Sequence, residues 1–334
     1  MAYVLGIDVG GTNLVAGCVA EDGSRLEGLL TEPTRAEEGA DGVVGRLLAL
    51  ARRSMDALAA AVPGAKVAGV GVGSPGPLDT RQGIVLLTPN LGWVDFPLRG
   101  RVSDGLGLPA SLDNDANCAV LGEHWRGAAR GTRQAIGITI GTGIGGGIIL
   151  DGQLYHGASD CAGEIGHTTI EMNGRRCACG NYGCLEAYAS GPAIARRAVE
   201  AVVRCSESAL RALVNADPAS IMAQLVDEAA TAGDVLAREV VQDTARILGA
   251  AIANLVNVFN PEVVVVCGGV TLAGESLFAP LRREVTRRAF RPDRAGSTSD
   301  ARTGTSSPKR ARAASTRSAS TSARTRWRVP ATPR

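Results

Sequence analysis

Residues 3–20 read YVLGIDVGGTNLVAGCVA, two short apolar runs on either side of the Gly-rich turn DVGGT at Asp8–Thr12. Apolar runs of this length, bounded by glycines, predict a pair of β-strands. Residues 21–24 (EDGS) then predict a hairpin turn, and residues 26–32 predict a third strand. The chain therefore opens with three consecutive strands.

The next segments predict a helix packed on a sheet. Residues 40–61 place Val and Leu along one broad helical stripe that ends at Pro63 and Gly64. Residues 67–72 and 110–113 are short apolar runs and predict further strands. This order of elements is typical of an α/β layer.

The second half of the chain repeats this pattern around another Gly-rich turn, GTGIGGG at Gly141–Gly147. Before this turn, we expect a helix that places Val120, Leu121 and Trp125 on one side. The predicted elements are a helix over 116–130, strands over 135–140 and 145–150, helices between Pro192 and Phe259, and a buried strand over Val263–Val266. Two α/β lobes are therefore predicted, a small lobe over 1–112 and a large lobe over 113–292.

Residues 293–334 differ from the rest in composition. They contain nine Arg, one Lys and two Asp, a net charge of +8, whereas the whole chain carries +2, so residues 1–292 are mildly acidic. Few apolar side chains are available to offset the entropy lost on ordering, so we expect a disordered tail. A reading-frame change near residues 290–295 of a GC-rich gene would explain this composition.

The composition also limits the function. No apolar run approaches the ~20 residues of a membrane span, and the N-terminus lacks a leader pattern, so we expect a cytoplasmic protein without a membrane partner. The acidic body offers no electrostatic attraction for nucleic acid. The only lysines, Lys66 and Lys309, do not follow a glycine run, which excludes a Walker-type phosphate loop.

Three glycine-rich turns could bind phosphate through backbone amides. Consecutive glycines in DVGGT allow close approach of an anion, and Asp8 could hold a metal ion, although a simple hairpin with a capping Asp explains the same residues. Five glycines in GTGIGGG exceed the need of a tight turn. Gly268 and Gly269 end a buried strand, where α/β folds bind ligands. Together the three turns indicate a nucleotide site.

Residues 113–115 read DND where a strand passes into a helix. An Asn or Asp there is a favoured helix N-cap, which explains one of the three residues. A carboxylate at a strand end could instead accept the proton of a hydroxyl during phosphoryl transfer. For Asp115 the pattern leaves both roles open.

His167, Cys177, Cys179 and Cys184 place one imidazole and three thiols within 18 residues. A disulfide is the alternative, but CAC brings two sulfurs too close for an ordinary bridge. Four such ligands without a vacancy predict a structural tetrahedral Zn²⁺. His124 and His156 lack comparable neighbours, and we expect them at the surface or in packing.

Two glutamates flank this cluster, Glu164 in AGEIGH and Glu186 in GCLE. A glutamate is usually a solvated surface residue, but Glu164 lies among glycines and apolar residues, where solubility needs no charge. Such carboxylates could hydrogen-bond sugar hydroxyls.

Eight motifs in this order resemble the ROK family of bacterial sugar kinases over about Val4–Pro292, and within it the glucokinases. The motifs are DVGGT (8–12), GSPGPLD (73–79), PNLGW (89–93), NDAN (114–117), GTGIGGG (141–147), EIGH (164–167), CACGNYGCLE (177–186) and NPEVVVVCGG (260–269). The resemblance implies a two-lobed, ribonuclease H-like fold of the hexokinase, actin and Hsp70 type. It also implies transfer of a phosphoryl group from ATP, with Mg²⁺, to the 6-hydroxyl of a hexose, with glucose expected.

The resemblance implies roles for individual residues. Asp115 would be the catalytic general base. The sugar would be bound by Gly76, Asn90, Asn114, Asp115, Glu164, His167 and Glu186. The nucleotide and its Mg²⁺ would be bound by Asp8, Gly10, Gly11, Thr12, Thr142, Gly143, Gly268 and Gly269. His167 would serve both zinc and sugar.

Alternatives remain at this point. Fructose, mannose or an N-acetylated aminosugar would use the same chemistry, and a non-catalytic sugar sensor would keep the zinc loop and hexose pocket. ROK regulators carry a helix-turn-helix ahead of the first Gly-rich turn, which here begins near residue 8, so we expect an enzyme rather than a regulator. Family resemblance further implies a homodimer or homotetramer.

Overall fold

The computed structural model describes residues 1–204, 208–290 and the backbone of 325–328. Within it the chain forms two compact units. The first contains residues 1–122 and 154–163, and the second contains residues 123–153 and the described residues from 164 onward.

The first unit begins with the strands predicted around DVGGT. Its strands are β1 (Ala2–Val9), β2 (Asn13–Ala20), β3 (Leu26–Pro33), β4 (Lys66–Ser74), β5 (Leu78–Asp79), β6 (Ile84–Thr88), β7 (Trp93–Phe96) and β8 (Ala110–Asn114). Its helices are α1 (Gly39–Ala61), α2 (Leu98–Leu106) and α3 (Asp115–Trp125), of which α3 runs across the division between the units.

Five of these strands form one sheet in the order β3-β2-β1-β4-β8. The first three are antiparallel neighbours, whereas β4 and β8 run parallel to β1. The stripe predicted on α1 is buried, including Val43, Leu47 and Leu50. The helix packs this stripe against β2 and β3, which leaves the carboxyl ends of β1, β4 and β8 free to carry polar residues.

The second unit repeats the arrangement of a hairpin beside a parallel strand. Its strands are β9 (Ala135–Ile140), β10 (Ile144–Leu150), β11 (Gln153–Leu154), β12 (Val263–Cys267) and β13 (Thr325–Arg328), and its helices are α4 (Glu186–Ala189), α5 (Gly191–Arg204), α6 (Arg211–Ala216), α7 (Ala223–Ala232), α8 (Val235–Phe259) and α9 (Glu275–Arg288). The sheet order is β11-β10-β9-β12-β13. β9 and β10 are antiparallel, and β12 is parallel to β9.

A mixed α/β fold with two five-stranded sheets confirms the predicted fold class at that level. The predicted boundary at 112/113 differs from the structural one, because β8 and most of α3 pack with the first unit up to Gly122. The chain also returns to this unit over 154–163. A small three-stranded sheet in the order β5-β6-β7 was not predicted, since GSPGPLD and PNLGW look like turns in the sequence.

The predicted helix over 116–130 ends earlier, at Trp125. Val120 is buried as expected, but Leu121 and Trp125 are each about half exposed, so the predicted apolar side of this helix is wrong for these two residues. The spacing alone could not show which face α3 turns toward its sheet.

The predicted disordered tail, 293–334, lies outside the described residues except at Thr325–Arg328. There the backbone forms β13, antiparallel to β12, so disorder is wrong for these four residues. An unpaired strand edge binds any extended backbone, whatever its side chains, and this accounts for pairing by a polar segment. No helix among the described residues is long and apolar enough to cross a membrane.

Candidate functional site

Polar residues gather at the carboxyl ends of β1, β4 and β8 in the first unit. The parallel register aligns Asp8 with Gly73 and Gly73 with Asp113. Parallel strands end at one edge of the sheet, where α/β folds bind their ligands. A Cβ atom at Gly73 would lie 3.5 Å from the Cα atom of Asp115, an ordinary contact distance, so the start of α3 packs directly against this edge.

The structure separates the two roles that the DND sequence left open. The side-chain oxygen of Asn114 accepts hydrogen bonds from the amides of Ala116 (2.9 Å) and Asn117 (3.2 Å), which is the N-cap interaction of α3. The Asp115 carboxylate accepts from the adjacent amide of Ala116 (2.8 Å). Capping is therefore carried by Asn114, and the Asp115 carboxylate can take part in chemistry.

The carboxylates at this edge influence one another. Desolvation, followed by the negative charge of Asp115, raises the pKa of Asp8 to about 6. Desolvation also raises the pKa of Asp115, against the opposing hydrogen bond from Ala116. A desolvated pair of carboxylates is stabilised by a cation or by a proton donor, so this edge favours such ligands.

Desolvation and the negative charges of Asp113, Asp115 and Asp8 raise the pKa of Cys118 to about 12. Its thiol stays protonated at neutral pH and is not a nucleophile.

The Gly-rich turn between β1 and β2 is held from two sides. Its Gly10 amide donates to the Asn13 carbonyl (2.9 Å), and a Cβ atom at position 10 would lie 2.7 Å from that oxygen, so only glycine fits. Thr34 donates its hydroxyl to the Gly10 carbonyl (2.6 Å) and its amide to the Thr12 carbonyl (2.8 Å). The turn is consequently rigid before any ligand binds.

Two further predicted sugar residues belong to this unit. Asn90 lies near this turn, and Gly76 lies beside the small sheet. The Asn90 side chain lies against Gly11, 3.5 Å from where a Cβ atom there would be. Gly76 has a φ of 94°, and a Cβ atom on it would lie 2.2 Å from the Leu87 carbonyl oxygen. Gly76 is thus required for the close approach of the loop after β4 to β6.

His156 is a residue of this edge that the sequence did not reveal. Expected at the surface or in packing, it instead lies 2.8 Å from Asp113 (Nε2 to Oδ2). The other oxygen of Asp113 accepts from the Asn114 amide (2.7 Å) and the Asn117 side chain (3.0 Å). Asp113 therefore links His156 to the first turn of α3, two residues from Asp115.

In the second unit, the predicted metal ligands come together. One donor atom from each of His167, Cys177, Cys179 and Cys184 lies within 4.8 Å of all the others. The His167 Nδ1 and Cys177 Sγ atoms are 3.7 Å apart, and so are the Cys179 and Cys184 Sγ atoms. Tetrahedral zinc with bonds of about 2.3 Å to sulfur and 2.0 Å to nitrogen separates its ligands by about 3.5–3.8 Å, so this donor set fits the ion.

The two nitrogens of His167 face different groups. Nδ1 faces the thiols, whereas Nε2 lies 3.8 Å from the Glu164 carboxylate. A metal on one ring nitrogen leaves the other to hydrogen-bond elsewhere. The predicted double role of His167 is therefore compatible with its orientation.

Glu186, the first residue of α4, connects the cysteine loop to the second Gly-rich turn. Its Oε2 atom accepts from the Ile144 amide (2.8 Å), and its Oε1 atom lies 3.9 Å from the Cys177 sulfur. A Cβ atom at Gly143 would lie 2.7 Å from the same Oε2. Glycine at 143 thus makes room for this carboxylate beneath the turn.

Two of the four predicted nucleotide residues of this unit line a cavity of about 490 Å³, whereas Gly143 and Gly268 are not part of its lining. Thr142 and Gly269 both contribute to its wall, and most of the other lining side chains are apolar. Gly268 has a φ of 102°, and a Cβ atom there would lie 2.2 Å from the Ile140 carbonyl oxygen, so glycine is required where β12 ends. The volume falls in the range of roughly 300–1,000 Å³ that small-molecule sites occupy.

Comparison with known proteins gives consistent matches. The sequence profile of the ROK family matches residues 4–313. A glucokinase of Thermotoga maritima is 38% identical over 283 residues, which cover 84% of this chain and 86% of that protein. The xylose repressor of Caldicellulosiruptor bescii is 38% identical over 224 residues, 67% of this chain but 56% of the repressor.

A solved structure matches over a similar length. The crystal structure of a ROK family glucokinase from Streptomyces griseus, in complex with glucose and AMPPNP, has a TM-score of 0.73 and 36% sequence identity. The match covers 85% of this chain and 89% of that one.

The contact between Asp113 and His156 predicts a measurable energetic coupling. Replacing either residue with alanine removes one hydrogen bond to a partly exposed carboxylate, and replacing the second then costs nothing more through this contact. In a double-mutant cycle of Asp113→Ala and His156→Ala, we expect a coupling of about 1 kcal/mol in the free energy of unfolding. Strict additivity of the two single changes, measured by urea denaturation, would show that the contact contributes nothing.

Proposed function

The chain belongs to the ROK family, and we propose that it is an ATP-dependent hexose kinase that phosphorylates the 6-hydroxyl of glucose. The observation that carries this proposal is the Asp115 carboxylate, relieved of helix capping by Asn114 and lying beside Asp8 at the end of three parallel strands. The glucokinases of T. maritima and S. griseus, which the chain resembles over most of its length, favour glucose among the hexoses.

In this reaction Asp115 accepts the proton of the sugar 6-hydroxyl as that oxygen attacks the γ-phosphorus in line. The bond from phosphorus to the β,γ-bridging oxygen breaks, and ADP leaves. A base held at this point orients the hydroxyl and removes its proton, which contributes roughly 10²–10⁴-fold to the rate. The raised pKa of Asp115 makes it a better proton acceptor than an ordinary carboxylate.

The first unit supplies further binding groups. The side-chain nitrogens of Asn90 and Asn114 would donate to sugar hydroxyls. Gly76 allows the loop after β4 to come close to β6. The amides of Gly10 and Gly11 and the hydroxyl of Thr12 would hold phosphate oxygens. Asp8 would hold Mg²⁺, which when bound neutralises negative charge on the phosphates, and its desolvated carboxylate beside Asp115 suits a hard cation.

The family resemblance also assigns roles to residues of the second unit. Glu164, His167 and Glu186 would hydrogen-bond the sugar. Thr142 and Gly143 would bind phosphate, and Gly268 and Gly269 would flank the adenosine in the 490 Å³ cavity. Preorganised donors of this kind stabilise charge that develops on the transferred phosphoryl group.

We further propose that His167, Cys177, Cys179 and Cys184 hold a structural Zn²⁺. All four positions are filled by protein atoms, so the ion has no vacancy for a substrate and acts by ordering the loop. The loop then fixes the direction of the second nitrogen of His167.

The proposal also includes assembly of identical chains into a dimer or tetramer.

A sugar-binding regulator without catalysis is the competing function, because a xylose repressor is similar over part of its length. The Asp115 carboxylate and both Gly-rich turns favour the kinase, since sugar sensing alone needs neither. Fructose, mannose or an N-acetylated aminosugar would be alternative substrates of the same chemistry.

Replacing Asp115 with asparagine tests the proposed base. The amide cannot accept the proton, so we expect kcat for glucose phosphorylation to fall by about 10²–10⁴-fold, while the Kd for glucose changes by no more than about threefold. Steady-state kinetics with an ADP-coupled assay and calorimetry measure the two quantities. Asp104→Asn, an exposed carboxylate on α2, is the matched control and should retain wild-type turnover.

Two results would contradict this proposal. If Asp115→Asn kept kcat within about tenfold of wild type, Asp115 would not be the base. If the wild-type chain turned over none of a panel of hexoses while still binding one of them, the sugar-sensing function would replace the kinase.

Metal analysis tests the zinc proposal. We expect one zinc per purified chain, lost in Cys179→Ser, with a lower free energy of unfolding because the loop loses its ordering ion. Cys161→Ser changes an exposed thiol outside the cluster and should leave both the zinc content and the stability unchanged. Purified wild-type chain without zinc, or unaltered zinc content in Cys179→Ser, would refute the site.

A further inference from the structure

The cavity of the second unit contains one buried polar atom that its protein neighbours do not satisfy. Oδ1 of Asp227, on α7, is buried and has no hydrogen-bond partner among the described residues. Buried polar atoms in proteins nearly always have a partner, because leaving one unpaired destabilises the folded state. A carboxylate oxygen left in this state favours a ligand that donates a hydrogen bond.

Two other polar side chains of the lining, Thr244 and Gln224, have hydrogen-bond partners. The Thr244 hydroxyl donates to the Val240 carbonyl (2.8 Å) and accepts from Arg197 (2.9 Å). The Gln224 side-chain nitrogen donates to Glu228 (2.8 Å). Asp227 is therefore distinguished from them by its unsatisfied oxygen.

The described protein groups around Asp227 provide no hydrogen bond to its Oδ1 atom. Burial raises the pKa of Asp227, and the charge of Glu228 raises it further, while the nearby Ser276 hydroxyl lowers it in part. The Ser276 hydroxyl has a single proton, and it donates to the Ala273 carbonyl (2.5 Å). A ligand in the cavity can supply a donor to the Oδ1 atom of Asp227, which has no partner among the described residues.

The shape and lining of the cavity fit the base of a nucleotide. Ile221, Met222 and Leu277 present apolar surface, which suits the flat faces of a purine, while Thr142 and Gly269 belong to the motifs proposed to hold the rest of the nucleotide. Adenine carries an exocyclic amino group, a donor with two hydrogens, on an otherwise apolar ring. A carboxylate oxygen within an apolar wall is complementary to that edge.

We propose that Asp227 recognises the base of the phosphoryl donor. Its Oδ1 atom accepts a hydrogen bond from the exocyclic amino group of adenine. This inference rests on the proposed kinase function for the identity of the ligand, and it adds the residue that sets donor specificity. A purine without that amino group leaves the carboxylate unpaired and binds more weakly. Guanine, with a carbonyl oxygen in the corresponding position, places two acceptors against each other.

The test compares nucleotides that differ only in the amino group. ADP and purine riboside 5′-diphosphate, which lacks the amino group, are titrated by calorimetry into the full wild-type chain, Asp227→Ala, Asp227→Asn and the control Glu239→Gln, an exposed carboxylate on α8. Wild type and Glu239→Gln should bind ADP about tenfold or more tightly than the amine-free nucleotide, as a hydrogen bond to a charged group predicts. Asp227→Ala should bind both with similar Kd, and Asp227→Asn, which keeps an acceptor oxygen, should retain a preference for ADP.

Kinetics with the corresponding triphosphates separate this inference from the kinase function. If glucose is phosphorylated but wild type and Asp227→Ala show the same ratio of kcat/KM for ATP and purine riboside triphosphate, base reading by Asp227 is wrong and the kinase stands. If no sugar is phosphorylated but Asp227→Ala removes the ADP preference in calorimetry, base reading stands and the kinase fails. Failure of wild type to bind either diphosphate overturns the inference.

Discussion

The parallel register of β1, β4 and β8 is the constraint on which the proposed chemistry depends. It places Asp8, Gly73 and Asp113 side by side at one sheet edge, and the chain after Asp113 turns directly into α3. Because Asp115 is the first residue of α3 and its Cα atom packs against position 73, the approach of Asp115 to Asp8 follows from the backbone. Desolvation at this edge raises the pKa of both carboxylates, and the charge of Asp115 raises that of Asp8 further.

Adjacent polar residues at that edge have different hydrogen-bonding roles. Asn114 caps α3, Asp113 holds His156 and Asn117, and Asp115 is left for a substrate. Each of the first two thereby satisfies backbone or side-chain donors that would otherwise compete for Asp115. In the second unit Glu186 has a comparable linking role, since it contacts both the amide after the Gly-rich turn and the cysteine loop.

Local sequence patterns predicted the strands, the helix and the cysteine cluster, because these features depend on residues close together in the chain. The strands around DVGGT, the helix over 40–61 and the buried VVVV strand all form within a residue or three of the expected bounds, because period and glycine placement determine them. The close spacing of the cysteines likewise predicted that their sulfurs would come together. Motif resemblance then supplied the roles of residues that no pattern could assign.

Features that depend on distant contacts could not be predicted. The partner of His156 is 43 positions away, so the histidine has no local signal for its contact with Asp113. The orientation of α3, which leaves Leu121 and Trp125 half exposed, depends on how the helix lies on its sheet. The unsatisfied oxygen of Asp227 emerges only once the cavity around it is formed.

The most direct test of the account is a crystal structure of the full chain with glucose and a non-hydrolysable ATP analogue. The account predicts that the glucose 6-hydroxyl lies within about 2.6–3.2 Å of an Asp115 carboxylate oxygen, with the γ-phosphate on the far side of that hydroxyl. A 6-hydroxyl bound to another side chain, with Asp115 beyond hydrogen-bond reach, would contradict it.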